Sequence, residues 1–110
     1  MKIQQRDIVE LNFELPDGKM KPHPALVISN QQVLDTEDIF YAVMISTKSY
    51  NDEFTFELED KMLTKLLSKK SFVKCQLIQS YSINEVISKV SSVKSTYFEQ
   101  IKKMIFDTVF

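Results

Sequence analysis

The single histidine of the chain, His23, lies in the run Lys19-Met20-Lys21-Pro22-His23-Pro24. A proline on either side leaves it little backbone freedom, and Pro24 drives His23 itself toward extended geometry. Histidine is the side chain that most readily takes and gives a proton near neutral pH. Lysines two and four positions earlier would draw an anionic substrate toward it. The plainer reading is a surface histidine in a stiff loop beside two solvated lysines. A second run, Ser46-Thr47-Lys48-Ser49, directly follows an apolar stretch. Hydroxyls and a lysine at a strand end bind phosphate oxygens without demanding a base sequence. They are equally ordinary strand-exit residues.

Other chemistries are excluded or left without a pattern. One glycine cannot build a Gly-rich phosphate loop, and one histidine with one cysteine cannot make a His/Cys zinc site. The carboxylates of Glu14, Asp17, Asp52 and Glu53 show no telling spacing. Cys75 sits among apolar residues, where a buried, inert thiol is expected. Tyr41, Tyr50 and Tyr81 are too scattered to form a base-stacking platform.

The elements that must position these groups are mostly short strands. Asp7 to Phe13 alternates apolar and polar residues after Ile8, as a half-buried strand does. Pro16-Asp17-Gly18 supplies turn chemistry, with Pro presetting φ and Gly accepting a positive one. All the prolines and the glycine fall between Pro16 and Pro24, which marks that stretch as a special loop. Ala25 to Ser29 is nearly all apolar and predicts a central strand covered on both faces. A polar stretch, Asn30 to Asp38, leads to a third strand at Phe40 to Ile45. Phe54 to Leu58 and Ser71 to Ile78 read as a fourth and a fifth. Ile83 to Val90 fits either a strand or a short helix.

The last element is a helix. Thr96 and Glu99 have the spacing of a capping box, with Ser95 as the alternative N-cap. Phe98, Ile101, Ile105 and Val109 recur at helical spacing, widened by Tyr97, Met104 and Phe110. Short strands followed by one amphipathic helix predict a mainly β fold: a small, strongly curved antiparallel sheet, or partly open barrel, capped by the helix.

At 110 residues the chain is sized for a single domain spanning 1–110. Its longest apolar run, Ile39 to Ile45, is far too short to span a membrane, and its first residues carry no apolar signal segment. A cytoplasmic protein with no membrane association is expected. The net charge of −1 argues against a generally sticky nucleic-acid binder, yet it hides an asymmetry. Residues 1–60 hold 5 basic and 12 acidic side chains, whereas residues 61–110 hold 9 lysines and 3 acids. Either Lys61, Lys65, Lys69, Lys70 and Lys74 form one basic face for an anionic partner, or they are solvated surface.

The ordered segments, taken together, resemble the MazF/PemK toxin family. The resemblance rests on Asp7-Ile8-Val9, Lys21-Pro22-His23-Pro24-Ala25-Leu26-Val27-Ile28-Ser29, Met44-Ile45-Ser46-Thr47 and Ser71-Phe72-Val73-Lys74-Cys75. It covers about residues 5 to 108, and order and spacing carry most of it. It implies an SH3-like barrel of short antiparallel strands with a C-terminal helix, working as a homodimer. It further implies a toxin of a bacterial type II toxin–antitoxin pair that cuts single-stranded RNA without a metal or other cofactor. The ribose 2′-hydroxyl attacks the adjacent phosphate, leaving a 2′,3′-cyclic phosphate and a 5′-hydroxyl. A cognate antitoxin with an acidic tail is the implied partner, and the lysine-rich half is a candidate acceptor.

Carried over position by position, the resemblance gives catalytic roles to His23, Ser46, Thr47 and Lys74. His23 stands where the family usually has arginine, so a proton carrier replaces a forked guanidinium. Ser46-Thr47 carries the family's Thr-Ser hydroxyls in reversed order. Val73-Lys74-Cys75-Gln76 keeps a cation and replaces a carboxylate by Gln76. Lys19, Lys21, Lys48 and Gln76 are the implied RNA contacts. The competing expectation is a barrel that binds without cutting, either as a small binding module or as a gyrase-directed toxin of similar architecture.

Overall fold

The computed structural model describes residues 2–14, 16–48 and 52–110; Ser49 and Tyr50, named above, lie outside the described residues. The chain runs β1 (Asp7–Glu14), β2 (Met20–Val27), α1 (Gln31–Thr36), β3 (Ile39–Ser46), β4 (Thr55–Leu58), β5 (Ser71–Ser82), β6 (Val86–Ser92) and α2 (Ser95–Val109). The strands form one antiparallel sheet in the order β4-β5-β3-β2-β1-β6. Its two outer ends approach each other. Leu63, just past β4, bridges Val93, just past β6. Thr64 N donates to Ser92 O at 2.9 Å and Lys94 N to Met62 O at 2.8 Å, which stitches the curled sheet into a half-barrel.

Each face of the sheet carries its own core. Ile8, Leu26, Val43, Ile45, Val73 and Cys75 point into the concave side, where Phe98 and Ile101 of α2 close over them. Val9, Leu11, Ala25, Val27, Phe40, Ala42 and Tyr81 form the second cluster, with Leu34 of α1 packed against it. β2 is covered on both faces, in keeping with its apolar sequence.

The structure departs from the sequence-based expectations at three places, each with a local cause, and resolves a fourth that was left open. The special loop ends at the Pro16-Asp17-Gly18 turn, where Gly18 takes φ +85° and Asp17 Oδ1 accepts from Lys19 N at 2.9 Å. Lys21 to Pro24 belong to β2 itself. Pro22 and Pro24 occupy alternate positions, so their missing N–H groups fall on the same strand edge, and β3 pairs with β2 only from Ala25 onward.

The polar stretch after β2 contains α1, nucleated by the Asn30 side chain accepting from Val33 N at 3.0 Å. At Ile83–Val90 both readings hold in sequence: a short 3₁₀ turn, Ile83–Glu85, closed by a Ser82/Glu85 capping box, then β6. Finally, α2 begins at Ser95 with Lys94 as N-cap and no side-chain cap, so the Thr96–Glu99 box is not formed. The bridge to Leu63 and the Lys94–Met62 hydrogen bond hold residues 93 and 94 extended. The helix therefore starts as soon as that pairing ends.

Candidate functional site

His23 alternates with Pro24 along β2 and so shares the face of Ala25 and Val27. Ala25 is paired with Met44 of β3, which places Met44 and, two residues on, Ser46 on that same face. Ser46 in turn opposes Phe72 of β5, and Lys74 stands two residues beyond Phe72. His23, Ser46 and Lys74 therefore come from three adjacent strands onto one face of the sheet. Lys21, two residues before His23, joins them there and is exposed.

His23 is half-buried, and its Nδ1 lies 3.1 Å from the Pro24 carbonyl oxygen. A carbonyl only accepts, so this contact needs the proton on Nδ1, and the neutral ring then carries its lone pair on Nε2. Ser46 Oγ accepts from Lys48 N at 3.1 Å, which leaves the hydroxyl proton to be donated elsewhere. Lys74 is only 9% exposed, and its ammonium donates to Thr55 Oγ1 of β4 at 3.4 Å. The face thus combines a proton acceptor, a hydroxyl donor and a cation held in a partly desolvated place. Such a set suits an oxyanion or phosphate that gains charge during reaction.

The remaining sequence-predicted residues fall elsewhere. Thr47, one residue past β3, lines a separate groove with Pro24. Lys19 is exposed at the start of the β1–β2 turn's return arm, and Lys48 is exposed beside Ser46. Gln76 is exposed in a distortion of β5: between the pairs Val43↔Ile78 and Ile45↔Val73, Met44 alone faces Lys74 to Leu77. This bulge lies where β5 passes from the stretch paired with β4 into its long pairing with β3.

The five lysines from Lys61 to Lys74 do not all share one face, although Lys61, Lys69 and Lys70 line one concavity together with Glu57, Glu59 and Asp60. Lys61 lies over the Tyr97 ring, Lys70 pairs with Glu57 at 3.4 Å, Lys74 is buried, and Lys65 and Lys69 flank the groove of Thr47. Even spacing would align Lys61, Lys65 and Lys69 on one face of a helix or a strand, but residues 64–70 form neither.

Reasoning from sequence passed over Phe72 and Thr55. Both stand on the His23 face, because Phe72 opposes Ser46 and Thr55 opposes Lys74. The signal for Phe72 was its alternation with Val73, but only the strand pairing shows what it adjoins. Of the scattered tyrosines, Tyr41 and Tyr81 stay apart, with Tyr81 packed on Phe40 at 6.2 Å between ring centroids and Tyr41 exposed at the far end of β3.

Cys75 points the other way, into the concave core, where burial pushes its thiol up to about 11 from 9.0. A thiol so buried is expected to resist iodoacetamide at pH 8 and to react fully once the protein is unfolded in denaturant, as mass spectrometry of the alkylated chain would read. Rapid labelling of the native protein would contradict this burial.

The profile of the PemK-like, MazF-like toxins of type II toxin–antitoxin systems matches residues 4–107 of the chain. The chain belongs to this family. Solved structures agree in fold for this toxin. A MazE–MazF complex from Deinococcus radiodurans superposes with a TM-score of 0.80 at 14% identity, covering 99% of this chain and 96% of the other. An endoribonuclease in complex with its cognate antitoxin, from a mycobacterial species, also gives 0.80, at 12% identity, over 96% of this chain and 92% of the other. A mycobacterial endoribonuclease gives 0.78 at 12% identity, over 97% and 90%. None of the curated protein sequences matches the toxin. Among the described residues no helix is long and apolar enough to cross a membrane.

Proposed function

We propose that this toxin, a single domain over residues 1–110, is a metal-independent endoribonuclease that cuts single-stranded RNA at short sequences. The observation that carries the reading is the convergence of His23, Ser46 and Lys74 on one sheet face in a member of a toxin family. Nε2 of His23 takes the proton of the ribose 2′-hydroxyl, whose oxygen then attacks the adjacent phosphorus. Ser46 donates its O–H to a phosphoryl oxygen, and the Lys74 ammonium offsets the charge that grows there. The bond to the 5′-oxygen breaks as that oxygen takes a proton from a solvent water, His23 passes the proton it accepted to the hydroxide so formed, and the products are a 2′,3′-cyclic phosphate and a 5′-hydroxyl. Lys21 on this face, with Lys19, Lys48 and Gln76 exposed around it, guides the strand, and Thr47 holds a neighbouring phosphate.

The same reading supplies partners and place. A cognate antitoxin with an acidic segment blocks the lysine-bearing surface, in a cytoplasmic setting. A second copy of the chain covers the apolar end of α2. There Val109 and Phe110, with Ile28, Tyr41, Ile78 and Ile105, line a recess of about 370 Å³, and Phe110 is 91% exposed.

The test is purified protein on a long single-stranded RNA in EDTA, with fragment ends identified chemically. Cuts at a recurrent short sequence bearing cyclic phosphate ends are expected. Intact RNA at micromolar protein would instead point to a binding module that does not cut.

A further inference from the structure

Beside the His23 face lies a groove of about 480 Å³, whose lining includes Glu10, Pro24, Thr47, Lys65, Lys69 and Ser71. Three of these are the chain neighbours of residues on the His23 face: Pro24 follows His23, Thr47 follows Ser46, and Ser71 precedes Phe72. Side chains alternate along a strand, so the same ends of β2, β3 and β5 present the reaction face on one side and this groove on the other. The two surfaces share a lip.

The groove is cationic and its rim is held in place. Lys65, Lys69 and Lys89 stand against one lining carboxylate, Glu10. Lys89 is committed to the buried Asp7 at 3.1 Å, whereas among the described residues neither Lys65 nor Lys69 has an ion-pair partner. Their backbones are pinned. Ser91 Oγ accepts from Lys65 N at 3.2 Å and donates to Lys65 O at 2.6 Å. Thr64 N donates to Ser92 O at 2.9 Å, and Ser71 Oγ donates to Lys69 O at 2.9 Å. Ser71 and Ser91 are themselves buried. A loop whose lysines project from anchored backbone loses little conformational freedom when it meets an anion.

We propose that this groove is a second binding site on the toxin, taking the sugar-phosphate backbone of the RNA that flanks the cut, with Lys65 and Lys69 against its phosphates. The inference rests on the RNA-cutting reading of the His23 face and extends it to the length of substrate engaged. A strand whose reacting phosphate lies at Ser46 crosses the lip at Thr47 and enters the groove. Thr47 and Ser68 offer hydroxyls to the backbone there, and Leu66, which is 63% exposed, offers an apolar surface to a base or sugar. Phosphates recur at every nucleotide, so these contacts add affinity without adding sequence preference.

The test compares wild type with the double variant Lys65→Gln/Lys69→Gln, two exposed side chains whose removal leaves the core intact. Fluorescence anisotropy is measured with 2′-O-methyl oligoribonucleotides, which cannot be cut, of about 6 and about 16 nucleotides, across a salt series; cleavage of a long natural RNA is measured alongside. For single strands each neutralised phosphate contributes about 0.7 to the slope of log affinity on log salt, so the variant's slope on the longer oligomer should be shallower by about 1.4. Its affinity for that oligomer at low salt should fall about tenfold, and its affinity for the shorter one should not change. Equal binding of the longer oligomer by both proteins overturns the proposal. So does an equal loss on both lengths, which would place the lysines at the reaction face itself. Weaker binding of polyglutamate with RNA binding intact would assign the groove to an acidic peptide. Wild type that cuts RNA while the variant behaves normally sinks this inference alone, whereas wild type that neither binds nor cuts RNA removes the underlying reading with it.

Discussion

His23→Ala is expected to lower RNA cleavage by about a thousandfold, within the range that a positioned proton carrier contributes. The loss should fall on kcat and leave KM nearly unchanged, because the phosphate contacts come from other side chains. Folding is not at risk. His23 is half-buried on β2, its backbone pairs with Leu11, and the flanking prolines hold the extended geometry whatever the side chain. The melting temperature of the variant should match wild type within a degree or two. The Nδ1 contact to the Pro24 carbonyl sets which nitrogen carries the lone pair, so geometry as well as identity matters. His23→Gln can hydrogen bond but cannot exchange a proton, and it should be as inactive as the alanine variant. Added imidazole should restore part of the alanine variant's rate. Cleavage within about fivefold of wild type would show that His23 does not move the proton, even with the toxin cutting RNA.

The sequence made the site's composition legible and left its geometry hidden. His23 between two prolines, Ser46 at a strand exit and Lys74 in an apolar run were visible as residues. Their sharing of one face follows from pairings between strands far apart in sequence: Ala25 with Met44, and Ser46 with Phe72. Alternation specifies which residues of one strand share a face, but not which strand lies alongside. For the same reason Thr47 and Ser46 looked equivalent as adjacent hydroxyls, while the structure sends Thr47 to the groove. The bulge opposite Met44 was not readable at all, because residues 74–77 have no glycine or proline to announce it.

Where reading succeeded, burial on one or both faces set the pattern, as in the fully apolar centre of β2 and the Phe98–Ile101 face of α2. Where it misplaced a boundary, a distant partner overrode local preference. The Thr96–Glu99 capping box lost to the hydrogen bond from Lys94 to Met62. Of the two readings left open for Lys61 to Lys74, one basic face or solvated surface, sequence could not choose, because the segment turns and pairs with residues distant in the chain.

Ile101→Ala is expected to destabilise the fold strongly, costing about 3 kcal/mol. Ile101 is fully buried where α2 closes the concave core, beside Phe98, Val73 and Cys75. The removed methyl and methylene groups lose their burial, and the paired strands beneath cannot collapse into the cavity. For a domain of this size that corresponds to a fall in melting temperature of roughly 12 to 24 °C, read by thermal unfolding. Val109 lies two turns further along the same helix and is 49% exposed, and Val109→Ala should cost less than about 1 kcal/mol in dilute protein. The contrast locates what holds the helix down: its first half is anchored by the barrel, while its last turn presents Val109, Phe106 and Phe110 outward. If a second copy covers that turn, the small cost at Val109 should grow with protein concentration, whereas the cost at Ile101 should not. A fall of only a few degrees for Ile101→Ala would mean that the helix is not the main seal of the concave core. A cost at Val109 that stays flat from micromolar to millimolar protein would remove α2 from the dimer contact.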